Sequence, residues 1–312
     1  MNHFPFIVIL LVFLAACGSG AIIPVTETDT STQVPEAMVS PTQTLRPGET
    51  PAPYPSPTAT FVPEAWQSMP IVPTVSVSMV EVFQRGLARG RDPNRFSKIG
   101  DCQNITTYFL ASFDDPNEYR LGPDYAYLQP TIDHFTGSWA RQSLAVKGGM
   151  NVAAVQNPFW TLTPKPNECN SGETPLACEI RVNNPSIVII SMEESWSGDI
   201  GRYDNYLRKI VMYILSQDVV PILATRAEEP DPKTTINATV ARIAYYYDVP
   251  LWNFWAAAYP LPSHGLTADE FHLTWAGPFF DDPARMQMAW PWRNLTALQA
   301  IDAVWRDLAD QP

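Results

Sequence analysis

Asp269, Glu270, Phe271 and His272 set a carboxylate and an imidazole three positions apart late in the sequence. Far upstream, Gly100 and Asp101 precede the thiol of Cys102. A thiol or hydroxyl nucleophile needs a base to take its proton, commonly His, and a carboxylate to orient that base. These residue types are the ones in this sequence able to do covalent chemistry. Plain structural readings stand beside them: a free Cys is commonly a small buried side chain, and an Asp–His pair can be a structural hydrogen-bonded pair at a helix end. Two more cysteines, Cys169 and Cys178, are nine residues apart in a segment rich in Pro, Gly and Asn. In an exported chain that spacing predicts a Cys169–Cys178 disulfide. With Cys17 lipidated, as read below, it leaves Cys102 as the odd thiol, and zinc is the weaker reading because no His pair sits at ligand spacing.

The elements that must position these residues follow from apolar patterning. Short apolar runs over Arg95–Ile99, Ser186–Met192, Asp218–Ala224 and Val249–Phe254 read as strands, several of them continuous enough to be buried on both faces. Helical stripes lie between them, over Tyr203–Gln217 and Thr234–Tyr247, and a last helix is expected to start at Asn294 as its N-cap. Strands alternating with helices imply an α/β fold with a central parallel sheet and helices on both faces. Ligands in such folds bind beyond the carboxyl ends of the strands. The residues found there are Gly100–Cys102, then Glu193, Glu194, Ser195 and Trp196, then Thr225–Glu229. Glu193 and Glu194 read either as a solvated loop or as a cation or sugar contact. The late aromatics Trp252, Trp255, Trp275, Trp290 and Trp292 read either as the lining of a carbohydrate cleft or as core, most of them being expected in the core, and Trp196 beside the third block is the one expected to reach a ligand. His134 and His264 fit no site.

With these blocks in order, the chain from about residue 94 to 308 resembles the SGNH/GDSL hydrolase family. The residues that carry the likeness are Gly100–Cys102, a glycine block at Lys147–Asn151, the apolar strand from Pro185 and the stretch Val219–Thr225. The run Ile236–Trp255 and the Asp269–His272 pair complete it. The resemblance extends to a bacterial branch with a Pro-rich stalk, a Cys loop reading Glu173–Glu179 and a final helix from Arg293. It implies a three-layer flavodoxin-like α/β fold acting on esters and acetylated sugars or lipids. It further implies Cys102 at the nucleophile position, His272 as base and Asp269 as its orienter, with Gly149 and the third-block residue Ser195 in the oxyanion hole. Three positions depart from the family pattern. Cys102 stands where Ser is usual, and Glu193 and Ser195 stand where the third block carries Gly and Asn. A thiolate beside His is a competent nucleophile, whereas losing an oxyanion donor costs about 10²–10³ in turnover in a well-studied protease. Two functions are therefore expected in competition. One is a surface ester hydrolase, an esterase or carbohydrate O-deacetylase with a Cys-His-Asp triad. The other is an inactive member binding glycan or envelope components.

The amino-terminal part reads differently. Phe4–Ala16 is almost wholly apolar and too short to span a bilayer comfortably, as in a signal peptide. Leu14, Ala15, Ala16 and Cys17 resemble a lipoprotein cleavage motif, which implies residues 1–16 as signal peptide and Cys17 as the lipidated residue. An ordinary signal peptide with an incidental Cys is the alternative. The chain has 312 residues and 31 prolines, eleven of them between Pro24 and Pro73. Residues 17–75, rich in Pro and Thr, are expected to form a disordered stalk, with the domain over 76–312. The net charge of −12 with no basic patch argues against nucleic acid as a partner. No metal, nucleotide or flavin motif appears, so no cofactor is expected. The expected location is the bacterial cell surface, on a membrane lipid anchor.

Overall fold

The computed structural model of the protein describes residues 61–62, 65–161, 168–192, 199–228 and 236–309. Among the described residues, four strands form one sheet in the order β1-β2-β3-β4: Asp92–Gly100, Pro185–Ser191, Val220–Ala224 and Leu251–Trp252. Every pairing is parallel, with Ile99 opposite Ile190, Ile190 opposite Leu223, and Leu223 opposite Leu251. On the free edge of β1, Gly100 bridges in parallel to Val146. Counting that segment, the spatial order is second, first, third, fourth, fifth in the chain. This is the flavodoxin-like doubly wound order, whose switch point lies between β1 and β2 at their carboxyl ends. Strands β2 and β3 are buried along their whole length, which is why they read as unbroken apolar runs.

Among the described residues, eight α-helices accompany the sheet: α1 Val77–Ala88, α2 Gly122–Tyr125, α3 Gln129–His134, α4 Pro175–Asn183, α5 Ile200–Ser216, α6 Ile236–Tyr247, α7 Phe254–Ala258 and α8 Ala289–Ala309. They flank it in the expected α/β arrangement. Helices α5 and α6 pack on each other and on β3, while α1 and α8 pack together, α1 against β2 and β3 and α8 against β4. The amphipathic logic is direct in α5, where Tyr203, Leu207, Ile210, Val211, Ile214 and Leu215 form the buried stripe.

Three expectations are corrected by the packing. The last helix begins at Ala289, not at Asn294. Pro291 lies in its first turn, where a missing N–H breaks no intrahelical bond. Asn294 is buried instead of capping, and its side chain accepts from Leu110 N at 2.6 Å and donates to Trp290 O at 3.1 Å. The fourth strand shrinks to two residues, because Asn253 turns its side chain to the carbonyls of Trp66 and Met69 at 2.8 and 3.0 Å. Those partners show the third difference. Trp66 is fully buried and stacks edge-on with Trp255, their centroids 4.9 Å apart. Residues 65–75, expected within the stalk, therefore pack on the domain.

Candidate active site

Strands β1 and β2 end side by side, with Gly100 paired to Ser191. A Cβ on Gly100 would meet Asn104 Nδ2 at 2.0 Å and Ser191 O at 2.4 Å, so only glycine fits there. The chain then turns into a 3-10 helix over Cys102–Asn104, capped by Asp101, whose side chain accepts from Gln103 N at 3.0 Å. Asn104 Nδ2 donates to Ser191 O at 2.8 Å and ties this turn to the end of β2. Among the described cysteines Cys102 is in no disulfide, and it is buried with 8% of its surface still open.

The glycine block reaches the same place. Lys147 N donates to Gly100 O at 3.3 Å. A Cβ on Gly148 would stand 4.0 Å from Cys102 Cβ, so Gly148 is the member of the pair adjoining the thiol-bearing residue. Gly149 adopts the left-handed φ of +78° that turns the chain onward. The approach to this block is fixed by Glu179 of α4, which is fully buried. Its carboxylate accepts from Arg141 through both oxygens at 2.6 and 3.1 Å, from Leu144 N at 2.8 Å and from Ser97 Oγ at 2.5 Å.

Asp269 and His272 meet as their spacing suggests. His272 Nδ1 lies 2.5 Å from Asp269 Oδ2. The other carboxylate oxygen accepts from Thr267 Oγ1 at 2.7 Å, His272 N at 2.9 Å and Phe271 N at 3.1 Å. Hydrogen bonds from His272 and Thr267 hold the Asp269 carboxyl well below the usual carboxylate range. An ionised carboxylate only accepts, so Nδ1 carries the ring hydrogen, and the neutral form of the ring has its lone pair on Nε2. That is the tautomer a general base requires. The loop is a narrow hairpin: Leu266 bridges Leu273, and Thr267 N donates to His272 O at 2.8 Å.

The two halves are joined by Gln103. Its Nε2 donates to Phe271 O at 3.0 Å, linking the residue after Cys102 to the residue before His272. Glu193, Glu194, Ser195 and Trp196 lie outside the described residues, as does Cys17. Of their flanks, Met192 O accepts from Tyr203 Oη at 2.9 Å, and Asp199 caps α5. Cys169 and Cys178 are joined in a disulfide with Cα atoms 5.3 Å apart, at the start of α4. Glu173 lies close to both sulfurs, which are bonded to each other, and it pairs with Arg181 at 2.8 Å. His134 and His264 stack on Trp305 and Tyr259 instead of joining this site.

Sequence reasoning missed the residue that braces the site from behind. Arg293 of α8 is fully buried, and its guanidinium donates to Ser191 Oγ at 2.9 Å and to Gln103 O at 3.3 Å. The rings of Phe109, Trp252 and Phe254 surround it with centroids 4.8 to 5.3 Å away. The available signal was a single Arg directly after Trp290 and Trp292, where a buried cation has ring faces to meet. Tyr108, half-exposed beside Trp275, was also missed.

No family model matches the chain, and no curated protein matches it. Among solved structures, the chain is similar to a GDSL-like lipase from Bacteroides thetaiotaomicron VPI-5482, with 15% identity over 72% of this chain and 99% of that chain, at a TM-score of 0.40.

Proposed function

We propose that this chain is an ester hydrolase of the SGNH/GDSL type, an esterase or carbohydrate O-deacetylase. The observation that carries the reading is the oriented Asp269–His272 pair, tied through Phe271 and Gln103 to the turn that bears Cys102. In the proposed cycle, His272 Nε2 takes the Cys102 proton and the thiolate attacks the ester carbonyl. The carbonyl electron pair moves onto oxygen, held by the Cys102 amide, the glycine block with Gly149, and Ser195. Collapse expels the alcohol, which receives the proton from His272. Water, deprotonated by the same imidazole, then attacks the acyl-thioester and returns Cys102 as a thiol.

The departures in the third block favour a second reading. In the sequence, Glu193 and Glu194 bring two acids into the third block, where negative charge opposes a developing oxyanion, and Ser195 is shorter than the usual Asn. On that reading the domain binds glycan or envelope components without cleaving them. Assay of the purified chain against short acyl esters and acetylated glycans separates the two. Turnover lost in His272→Ala supports hydrolysis. No turnover by the wild type, together with glycan retention, supports binding. We further propose that the domain is held at the bacterial surface by lipid on Cys17, on the apolar run that precedes it. Metabolic labelling with a fatty-acid analogue tests this, with Cys17→Ala expected to abolish the label.

A further inference from the structure

Two aromatic rings stand open where the loops of the proposed reaction meet. Tyr108 follows Cys102 by six residues and Trp275 follows His272 by three. Their ring centroids are 5.5 Å apart and their planes stand at 82°, so they form a corner. Tyr108 keeps 45% of its surface exposed and Trp275 keeps 55%. Buried Trp290 closes the corner from behind, 5.8 Å from Tyr108 and 5.9 Å from Trp275.

The corner is rigid. Thr274, just before Trp275, donates from N to Gly265 O at 2.8 Å and accepts from Trp290 N at 3.1 Å and Ala289 N at 2.9 Å. Tyr108 N donates to Ile105 O at 3.0 Å, and Tyr108 O accepts from Asn294 Nδ2 at 3.2 Å. Among the described residues, the Tyr108 hydroxyl and the Trp275 indole N–H make no hydrogen bond. The indoles of Trp139, Trp252, Trp255 and Trp292 all donate inside the domain. Open aromatic surface held in place, with polar tips unspent, is a ligand surface more often than a structural one.

We infer that Tyr108 and Trp275 form a subsite for the ring of a pyranoside whose ester is presented to Cys102. This rests on the reading of Cys102 and His272 as the reacting pair. The half-open geometry decides the ligand class. A long acyl chain gains affinity by losing all its water contacts, which needs enclosure. A sugar ring has an apolar C–H face to stack on an aromatic ring and hydroxyls that must stay hydrated or hydrogen-bonded. An exposed corner with an O–H and an N–H at its rim meets both needs.

The test uses the full chain carrying Cys102→Ala, titrated calorimetrically with methyl 6-O-acetylglucopyranoside, which keeps its other ring hydroxyls beside one ester, and with glyceryl triacetate, an acyclic ester. The pyranoside is expected to bind at least about tenfold more tightly than the triacetate. Adding Trp275→Ala or Tyr108→Ala is expected to weaken the pyranoside by about tenfold and leave the triacetate unchanged. Trp275→Leu keeps bulk without the ring and gives the same readout should the Ala variant not fold. Equal affinity for the two probes, no pyranoside binding, or pyranoside binding indifferent to Trp275 overturns the inference. Ring-dependent binding without turnover by the wild type leaves the subsite standing and removes the hydrolase reading. Turnover of both esters with KM unchanged by Trp275→Leu does the reverse.

Discussion

The Gln103 side-chain amide donates to the Phe271 carbonyl across 3.0 Å, the bond that fastens the Cys102 turn to the His272 loop. Gln103 is buried and Phe271 sits between Glu270, at φ +58°, and His272. Losing this bond leaves the backbone of each loop intact but frees their relative position. Gln103→Ala is expected to cost about 1 kcal/mol of stability. Misplacement of reacting groups by about 1 Å costs on the order of 10²-fold in rate, so the loss in kcat is expected to exceed what the stability change explains. Thermal melting and steady-state kinetics on the same preparation check this.

Asp269 fixes the His272 tautomer. In Asp269→Asn, the new amide can turn its NH₂ to Nδ1, which then accepts, and the ring hydrogen moves to Nε2. Turnover is expected to fall by about 10²–10⁴-fold while the fold persists, since both side chains are about half exposed. The native carboxyl titrates below its unfolded value. Its contribution to stability is therefore complete above about pH 4 and is lost as pH falls through the lower native value. Acid denaturation of the two proteins is expected to converge at the acid end.

How much of this was legible in the sequence depends on which force wrote each part. Strands β2 and β3 are apolar on both faces, so composition alone marks them. The Asp269–His272 pair is local in sequence, and so is the Cys169–Cys178 disulfide. Strand β1 was only partly legible, because it carries Lys98 and Ser97 into the interior. Those side chains are satisfied by Trp139 O and Glu179, partners that spacing cannot reveal. The start of α8 was misplaced because Asn294 resembles a cap, while its true partners, Leu110 N and Trp290 O, include one far away in the chain. Gln103 matters through a tertiary contact alone, so its type gave no warning, and the one signal Arg293 left was its place beside Trp290 and Trp292.

Arg293 is a cation without exposed surface, held by ring faces and by acceptors on two strand ends. Hydrogen bonds from charged groups contribute roughly 1.5–3 kcal/mol each, and removing a buried charged partner costs about 3–5 kcal/mol. Arg293→Ala is expected to lose stability of that order. Arg293→Lys keeps the charge but not the planar fork, so it is expected to fold while losing part of the turnover. Urea denaturation of both variants, with kcat and KM for Arg293→Lys, decides the matter. Wild-type stability in Arg293→Ala contradicts the bracing role.

Lys98 offers a test by pH. Its ammonium is buried, donates to Trp139 O at 2.7 Å, and burial pushes it down to about 7 despite the opposing pull of Glu179. Between about pH 7 and the ordinary lysine value near 10.4, the unfolded chain binds a proton that the native chain does not. Stability contributed by this group therefore rises with pH through that window. The wild-type stability minus that of Lys98→Met is expected to climb from pH 7 to pH 10. A flat difference contradicts a displaced lysine.

The nucleophilic role of Cys102 is tested most directly by intact-mass spectrometry of the full chain, quenched in acid shortly after mixing with a short acyl ester. The predicted result is a mass gain of one acyl group, mapped to Cys102, absent from Cys102→Ala and reduced when His272, which takes the thiol proton, is replaced by Ala. Ester turnover by Cys102→Ala at the wild-type rate, with no acyl group found on Cys102, would contradict it.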